Sequence, residues 1–250
     1  MMSPLTIASV ALGCSFGAGL VGMILPGHHL DAASQDVVKL VMGLIATMTA
    51  LLLGLLIASG NTSYDRQSSE LKALSASIIL LDRTLELYGP DAKSARDGLR
   101  DVVQKTHDRI WSPAGARPEV LNSMETRNAA RANIERLLSL SPKTDLERMM
   151  QSRAIQEAES ISQSRLLMFE DLGDSIKWPF LTMLIFWICM LFVSFGLFVR
   201  FNATVTVVLF VGAFSVAGAI FLILELNDPY GGLMRISDEP LRNAMAQIDR

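Results

Sequence analysis

The sequence has 250 residues, of which 50% are hydrophobic and only 19% are charged, and its mean hydropathy is +0.36. Since soluble domains carry about 25% charged residues, this composition excludes an ordinary soluble enzyme. The net charge of −3 provides no basic surface for nucleic acid, so we expect no nucleic-acid partner.

Charge is concentrated in the middle of the chain. Residues 60–177 hold 17 of the 22 Lys and Arg residues and 18 of the 25 Asp and Glu residues. The two ends are apolar, and Cys14 and Cys189 lie within them, which favours neither a disulfide framework nor a zinc site. This division predicts a membrane protein with one polar segment.

Four apolar stretches are long enough to cross a bilayer, which takes about 20 residues. They cover approximately residues 5–25, 38–59, 178–200 and 203–225. The first stretch could be taken for a signal peptide, but its leader MMSP has no Lys or Arg and a second stretch follows closely. We therefore expect a retained membrane helix.

The distribution of Lys and Arg between the loops predicts the orientation in the membrane. The connection 26–37 has neither residue, whereas 60–177 and the tail have many. We therefore expect both termini and the middle segment to be cytoplasmic. The resulting domains are membrane helices one and two (1–59), a cytoplasmic helical domain (60–177), membrane helices three and four (178–225) and a cytoplasmic tail (226–250).

The polar middle segment is predicted to be helical. Its first helix carries an apolar stripe, called the seam below, whose steps of 3 and 4 are typical of a coiled coil. The seam consists of Leu71, Leu74, Ile78, Leu81, Leu85 and Tyr88. It could pack against neighbouring subunits of an oligomer or within the bundle of its own subunit.

Three further helices are expected in this segment. Gly89-Pro90 ends the first helix, and Asp91 is a candidate N-cap for the second. The second helix has an apolar face ending at Ile110, and a third spans about 119–140. Thr144 and Glu147 form a capping box at the start of the fourth. The predicted fold class is an all-α membrane protein with four transmembrane helices and a cytoplasmic helical bundle between spans two and three.

No catalytic, metal or phosphate-binding motif is present, so we expect no enzyme, no cofactor and no metal. His28 and His29 could bind a metal or sense external pH, but adjacent histidines are common in polar loops. His107 lies among charged residues and is expected on a solvated helix face. The interiors of the spans lack ionisable side chains, which argues against a proton-coupled carrier.

Small residues recur along the first two spans. In span two, the small-residue stripe consists of Gly43, Thr47, Ala50 and Gly54, which share one side of a helix. Such stripes let helices approach closely in lipid, so these positions are candidates for close packing or for lining a pore. Span one has a comparable stripe and a Gly13-xxx-Gly17 motif, whereas span three is aromatic and suits a lipid-facing position.

The tail carries the most specific sequence. It turns at Asp228, Pro229, Tyr230 and Gly231 and then starts a short amphipathic helix near Asp238. Together with LLDRTLELYGPDAKSARDGL (80–99), SFGLFVRFNATV (194–205) and FSVAGAIFLILEL (214–226), the segment LELNDPYGGLMRISDEPLRNAM (224–245) closely resembles a bacterial family labelled bestrophin-like. The turn is similar to the Asp-Pro-Phe-Gly turn of bestrophins, with Tyr in place of Phe.

This resemblance implies a homo-oligomeric ion channel of the bacterial inner membrane, pentameric by analogy, whose second span lines a pore for small inorganic ions. The implied partners are other copies of the chain and the lipid bilayer. The alternative is a non-conducting scaffold or signalling subunit that binds a cytoplasmic partner through its helical domain, with the seam as the docking surface.

Overall fold

The computed structural model describes residues 3–24, 32–111, 123–171, 178–199 and 201–248. Within these ranges the secondary structure is α-helical, with a 3₁₀ turn at Pro90–Ala92 and no strand. The helices are α1 (Pro4–Ile24), α2 (Ala32–Tyr88), α3 (Lys93–Ile110), α4 (Met124–Leu138), α5 (Asp145–Asp171), α6 (Trp178–Leu197), α7 (Ala203–Leu226) and α8 (Glu239–Ile248).

Four of these helices are long and apolar enough to cross a membrane, namely α1, α2, α6 and α7. They coincide with the four predicted spans, and the predicted all-α class is confirmed. Helix α2 differs from expectation in one respect, because span two and the helix that follows it form one continuous helix of 57 residues. The α-helix is uninterrupted across the junction, and the Thr62 hydroxyl in addition donates to the Ala58 carbonyl at 2.9 Å.

The chain forms two compact units. The first, the membrane unit, comprises Met1–Thr62 and Ser175–Asp228, and the second, the bundle unit, comprises Ser63–Asp174 and Pro229–Arg250. The division falls inside α2, so this helix contributes residues to both units.

In the membrane unit, α1 packs against α6 and α7. The predicted stripe of span one supplies much of this contact, since Ala8, Ala11, Ser15 and Gly22 are buried. The aromatic residues of span three lie on two sides of α6. Phe186 and Phe195 are exposed, whereas Phe192 is buried in the core.

The closest approach of two helices in this unit is the crossing of α1 and α6. A Cβ built on Gly22 would overlap the Val193 carbonyl group and lie 3.1 Å from Cα of Gly196. The Gly13-xxx-Gly17 motif does not make this contact, because a Cβ on either glycine would have no neighbour within 4 Å. Backbones can touch at Gly22 because both helices present a glycine there.

In the bundle unit, the six residues of the seam are buried at 0–7% exposure and pack with residues of α3, α4, α5 and α8 in one core. The seam therefore belongs to the interior of its own subunit, and the alternative in which it packs against neighbouring subunits is wrong. Asp82, also on α2, accepts two hydrogen bonds from Arg96 of α3, at 2.8 and 2.7 Å, which ties these helices together.

Most of the predicted helix ends in the bundle unit are confirmed. Gly89 ends α2 with a φ of 111°, a conformation that L side chains rarely adopt. The Thr144 hydroxyl accepts from the Glu147 N–H at 3.1 Å, as expected for a helix cap. Asp91 was predicted wrongly as an N-cap. It lies in the 3₁₀ turn, where its carboxylate instead accepts from Lys143 at 3.1 Å.

The third predicted helix starts later than expected. Its N-cap is Ser123, whose hydroxyl accepts from the Thr126 N–H at 3.2 Å. The predicted start near Glu119 lies outside the described residues, as does the loop 112–118.

The α1–α6 crossing generates a testable prediction. Gly22→Ala should destabilise the protein by about 1–3 kcal/mol, because the methyl group overpacks a backbone contact. Thermal unfolding of the purified protein in detergent measures this effect as a lower Tm. Gly13→Ala is the matched control on the same helix, and we expect its Tm to be unchanged or slightly higher. Equal Tm values for the two variants would show that the crossing tolerates a larger residue.

Candidate functional site

The small-residue stripe of span two is exposed along its whole length in the single chain. Gly43, Thr47, Ala50 and Gly54 all lie at the surface. A Cβ on Gly43 or Gly54 would have no neighbour within 4 Å. These four positions therefore do not mediate close packing within the subunit.

The leucine stripe of the same span consists of Leu44, Met48, Leu51 and Leu55, and it is exposed too. The side of α2 that contacts its own unit is a third face, where Thr49 is 8% exposed and Leu52, Leu53 and Leu56 pack against the core. At about 100° per residue, both exposed stripes point more than 90° away from that face. Two sides of span two are thus free of contacts within the described chain.

The tail turn is packed into the bundle unit. Tyr230 is 2% exposed, and its ring meets that of Trp111, the C-cap residue of α3, edge to face with centroids 6.1 Å apart. The Trp111 indole N–H donates to the Ile236 carbonyl at 3.2 Å, and the Ile236 N–H donates to the Pro229 carbonyl at 2.8 Å. The ring contact with Trp111 and these two hydrogen bonds therefore hold the turn in place.

The Tyr230 hydroxyl has no hydrogen-bond partner in the described structure. Burial, with a smaller contribution from the nearby Glu70 carboxylate, raises the pKa of Tyr230 well above its ordinary value. The phenol is therefore neutral, and its hydroxyl is a buried polar group without compensation.

His107 holds the tail in a way that the sequence analysis missed. Its Nε2 lies 3.1 Å from Asp238 Oδ2 and its Nδ1 lies 3.2 Å from Asp108 Oδ1. Its ring stacks on Trp111 at 5.4 Å between centroids. The expectation of a solvated His107 is wrong. The available signal was the i, i+4 spacing of His107, in the last turn of α3, and Trp111, the C-cap residue.

Helix α8 completes the attachment of the tail. As predicted, it begins just after Asp238 with Pro240 in its first turn, and it buries Leu241, Ala244 and Ile248 in the bundle core. The Arg100 guanidinium donates to the carbonyl of Ile248. The tail is thus an integral part of the bundle unit.

Across the described ranges, no group of three or more His, Cys, Asp or Glu residues could hold a metal ion. His28 and His29 lie outside the described residues.

The structure defines the protein as an all-α membrane protein with four membrane-spanning helices and a helical bundle between the second and the third. The family model of the Bestrophin-like domain matches residues 9–241. The chain therefore belongs to the bestrophin-like family.

Solved structures with the same fold include mutants of a bacterial bestrophin homologue from Klebsiella pneumoniae. One has a TM-score of 0.69 at 12% sequence identity and covers 100% of both chains. Two others have TM-scores of 0.66 and 0.65 at 12% and 13% identity, covering 96% of this chain and 97% and 98% of theirs. A comparison with curated proteins gave no match.

The buried hydroxyl of Tyr230 generates a second prediction. Tyr230→Phe should stabilise the protein by about 1 kcal/mol, because it removes a buried polar group that lacks a partner. For a chain of this size, the change corresponds to a Tm about 2–4 °C higher.

Tyr64→Phe, at a partly buried position, is the control for this measurement, and its Tm should equal that of the wild type. A lower Tm for Tyr230→Phe would indicate that the hydroxyl makes a stabilising hydrogen bond.

Proposed function

We propose that this protein is a homo-oligomeric ion channel of the bacterial inner membrane, with span two lining a central pore for small ions. The observation that carries the proposal is the exposure of the small-residue and leucine stripes on α2, a helix that crosses the membrane. Membership of the bestrophin-like family supports it, and by analogy with bestrophins the oligomer is a pentamer.

The two exposed stripes suit a ring of subunits. In such a ring, a helix that lines the pore has one side towards the axis and others towards its neighbours. We assign Gly43, Thr47, Ala50 and Gly54 to the axis, since small side chains leave room for ions. The leucine stripe then contacts neighbouring subunits or lipid, where apolar side chains are stable.

The loop charges support an orientation with residues 60–177, the tail 226–250 and both termini in the cytoplasm. The domains are then two pairs of membrane helices, 1–59 and 178–225, and these two cytoplasmic segments. In this proposal the tail 226–250, with its turn at Asp228, Pro229, Tyr230 and Gly231, braces the pore or gates it.

The alternative is a non-conducting scaffold that binds a cytoplasmic partner. Its proposed docking surface was the seam, and the burial of the seam in the bundle core removes that surface. Crosslinking in cells separates the two functions, because a channel gives mainly self-crosslinks and a scaffold gives a reproducible second protein.

Tryptophan substitutions on span two test the pore assignment. Ala50→Trp should abolish single-channel current in planar bilayers while the oligomer, measured by native mass spectrometry, stays intact. The bulky ring would fill the space at the axis, whereas Leu51→Trp, on the leucine stripe, should retain most of the current.

Phe186→Trp, at an exposed position of α6, is the control for a bulky change outside the pore. Loss of current in Leu51→Trp but not in Ala50→Trp would place the leucine stripe at the axis. Full current in both variants would overturn the assignment of span two as the pore wall.

A current measurement under a KCl gradient comes before these variants. Stepwise currents with a displaced reversal potential would establish conduction, and the sign of the potential would distinguish anions from cations. Silence from a folded, intact oligomer would favour the scaffold.

A further inference from the structure

The contact between α3 and the tail places the imidazole of His107 between two carboxylates. Asp108 of α3 and Asp238, just before α8, approach different ring nitrogens, at 3.2 and 3.1 Å. The His107 and Asp238 side chains are 18% and 30% exposed, and the Trp111 ring stacks on the imidazole. The Asp108 carboxylate is mostly exposed. Because water screens partly buried charges least, the contact with Asp238 is the stronger of the two.

Both contacts require a donor on the ring. An ionised carboxylate only accepts hydrogen bonds, and a neutral imidazole carries a single N–H. In either neutral tautomer, one bare ring nitrogen therefore faces a carboxylate oxygen. An imidazolium has an N–H at both nitrogens and donates to both carboxylates. The arrangement around His107 thus matches the protonated ring.

The other charges of α3 leave this role to His107. The helix C-terminus favours positive charge, and His107 lies in the last turn. The cations two residues to either side are paired with other carboxylates, Lys105 with Asp101 at 2.7 Å and Arg109 with Glu125 at 2.5 Å. Among the described residues, the ion pair that links α3 to the start of α8 is therefore the one made by His107.

We propose that His107 is a pH-sensitive switch for the attachment of the tail. The protonated ring donates to Asp108 and Asp238 together. When the ring loses its proton, one of these hydrogen bonds is lost and a lone pair faces a carboxylate instead. Histidine is the side chain whose charge ordinarily changes between about pH 5 and 8. The tail is thus held more firmly at the acidic end of this range and less firmly at the basic end.

The residue affected by this switch is part of the first turn of α8. The Asp238 carbonyl accepts from the N–H groups of Leu241 and Arg242, both at 3.0 Å. Weaker attachment of Asp238 therefore favours local opening of α8. In the channel proposed above, bracing or gating by the tail would then depend on cytoplasmic pH. That consequence rests on the proposed function, whereas the switch itself does not.

Hydrogen exchange of the full-length protein in detergent, measured by mass spectrometry, tests the switch. After correction for the intrinsic effect of pH on exchange, the amides of α8 should be about tenfold more protected at about pH 5.5 than at about pH 8, the effect of one charge-assisted hydrogen bond. The amides of α5 are the internal reference and should show no comparable change. Equal protection of α8 at the two pH values would overturn the proposal.

Histidine variants identify the group that titrates. His107→Gln has a side chain that does not titrate, so protection of α8 should be the same at both pH values and close to that of the wild type at about pH 8. The matched control is the double variant His28→Gln, His29→Gln, which removes the other two histidines of the chain and should keep the tenfold change. A tenfold change that persists in His107→Gln, or disappears in the control, would contradict the assignment.

Asp238→Asn provides an independent test should His107→Gln fail to fold. An amide accepts from a ring N–H or donates to a bare ring nitrogen, so it pairs with both forms of the imidazole, and we expect most of the pH dependence to disappear. Asp145→Asn, which changes a 97% exposed carboxylate of α5, should retain it. Unchanged pH dependence in Asp238→Asn would place the titrating contact elsewhere and overturn the proposal.

Discussion

The continuity of α2 is the constraint on which the rest of the structure depends. A single run of backbone hydrogen bonds from Ala32 to Tyr88 carries a membrane span at one end and the buried seam at the other. The side chains change with the surroundings along this helix. Residues 40–58 carry no charged side chain on any side, as a membrane helix requires, whereas from residue 63 onwards only one stripe is apolar, as in a helix with one buried face. The same helix thus supplies a free surface in the membrane unit and the centre of the core in the bundle unit.

Much of this architecture could be predicted because it depends on local sequence. Bilayer-length apolar stretches, the Gly89-Pro90 break and the capping residue Thr144 act within a few residues, so composition and spacing identify them. The junction at residues 59–60 was predicted as a boundary because polarity changes there. A change of polarity does not break a helix, however, and no proline is present to do so.

The contacts that the sequence did not reveal join residues far apart in the chain. Gly22 and Gly13 are equivalent by composition, and only the position of Gly196 on the facing helix distinguishes them. Similarly, His107 and Asp238 are 131 residues apart, so their pairing depends on how the tail packs against α3. The sequence of the seam fits packing either within its own bundle or against a neighbouring subunit, because both arrangements require the same apolar stripe. For the candidate site, periodicity identified the small-residue stripe, but only the structure shows that its own subunit leaves it uncovered.

Exposure of span two does not by itself require a partner, because apolar side chains are stable against lipid tails. The small-residue stripe supplies the stronger argument. Gly43 and Gly54 leave the backbone of a membrane helix uncovered. In lipid, such small residues contribute to stability when another helix packs closely against them. Within the subunit, the glycines that serve this purpose are Gly22 and Gly196, which are in direct contact. Gly43 and Gly54 on α2 lack any such contact in the described chain, and this difference is the basis of the pore position proposed for them.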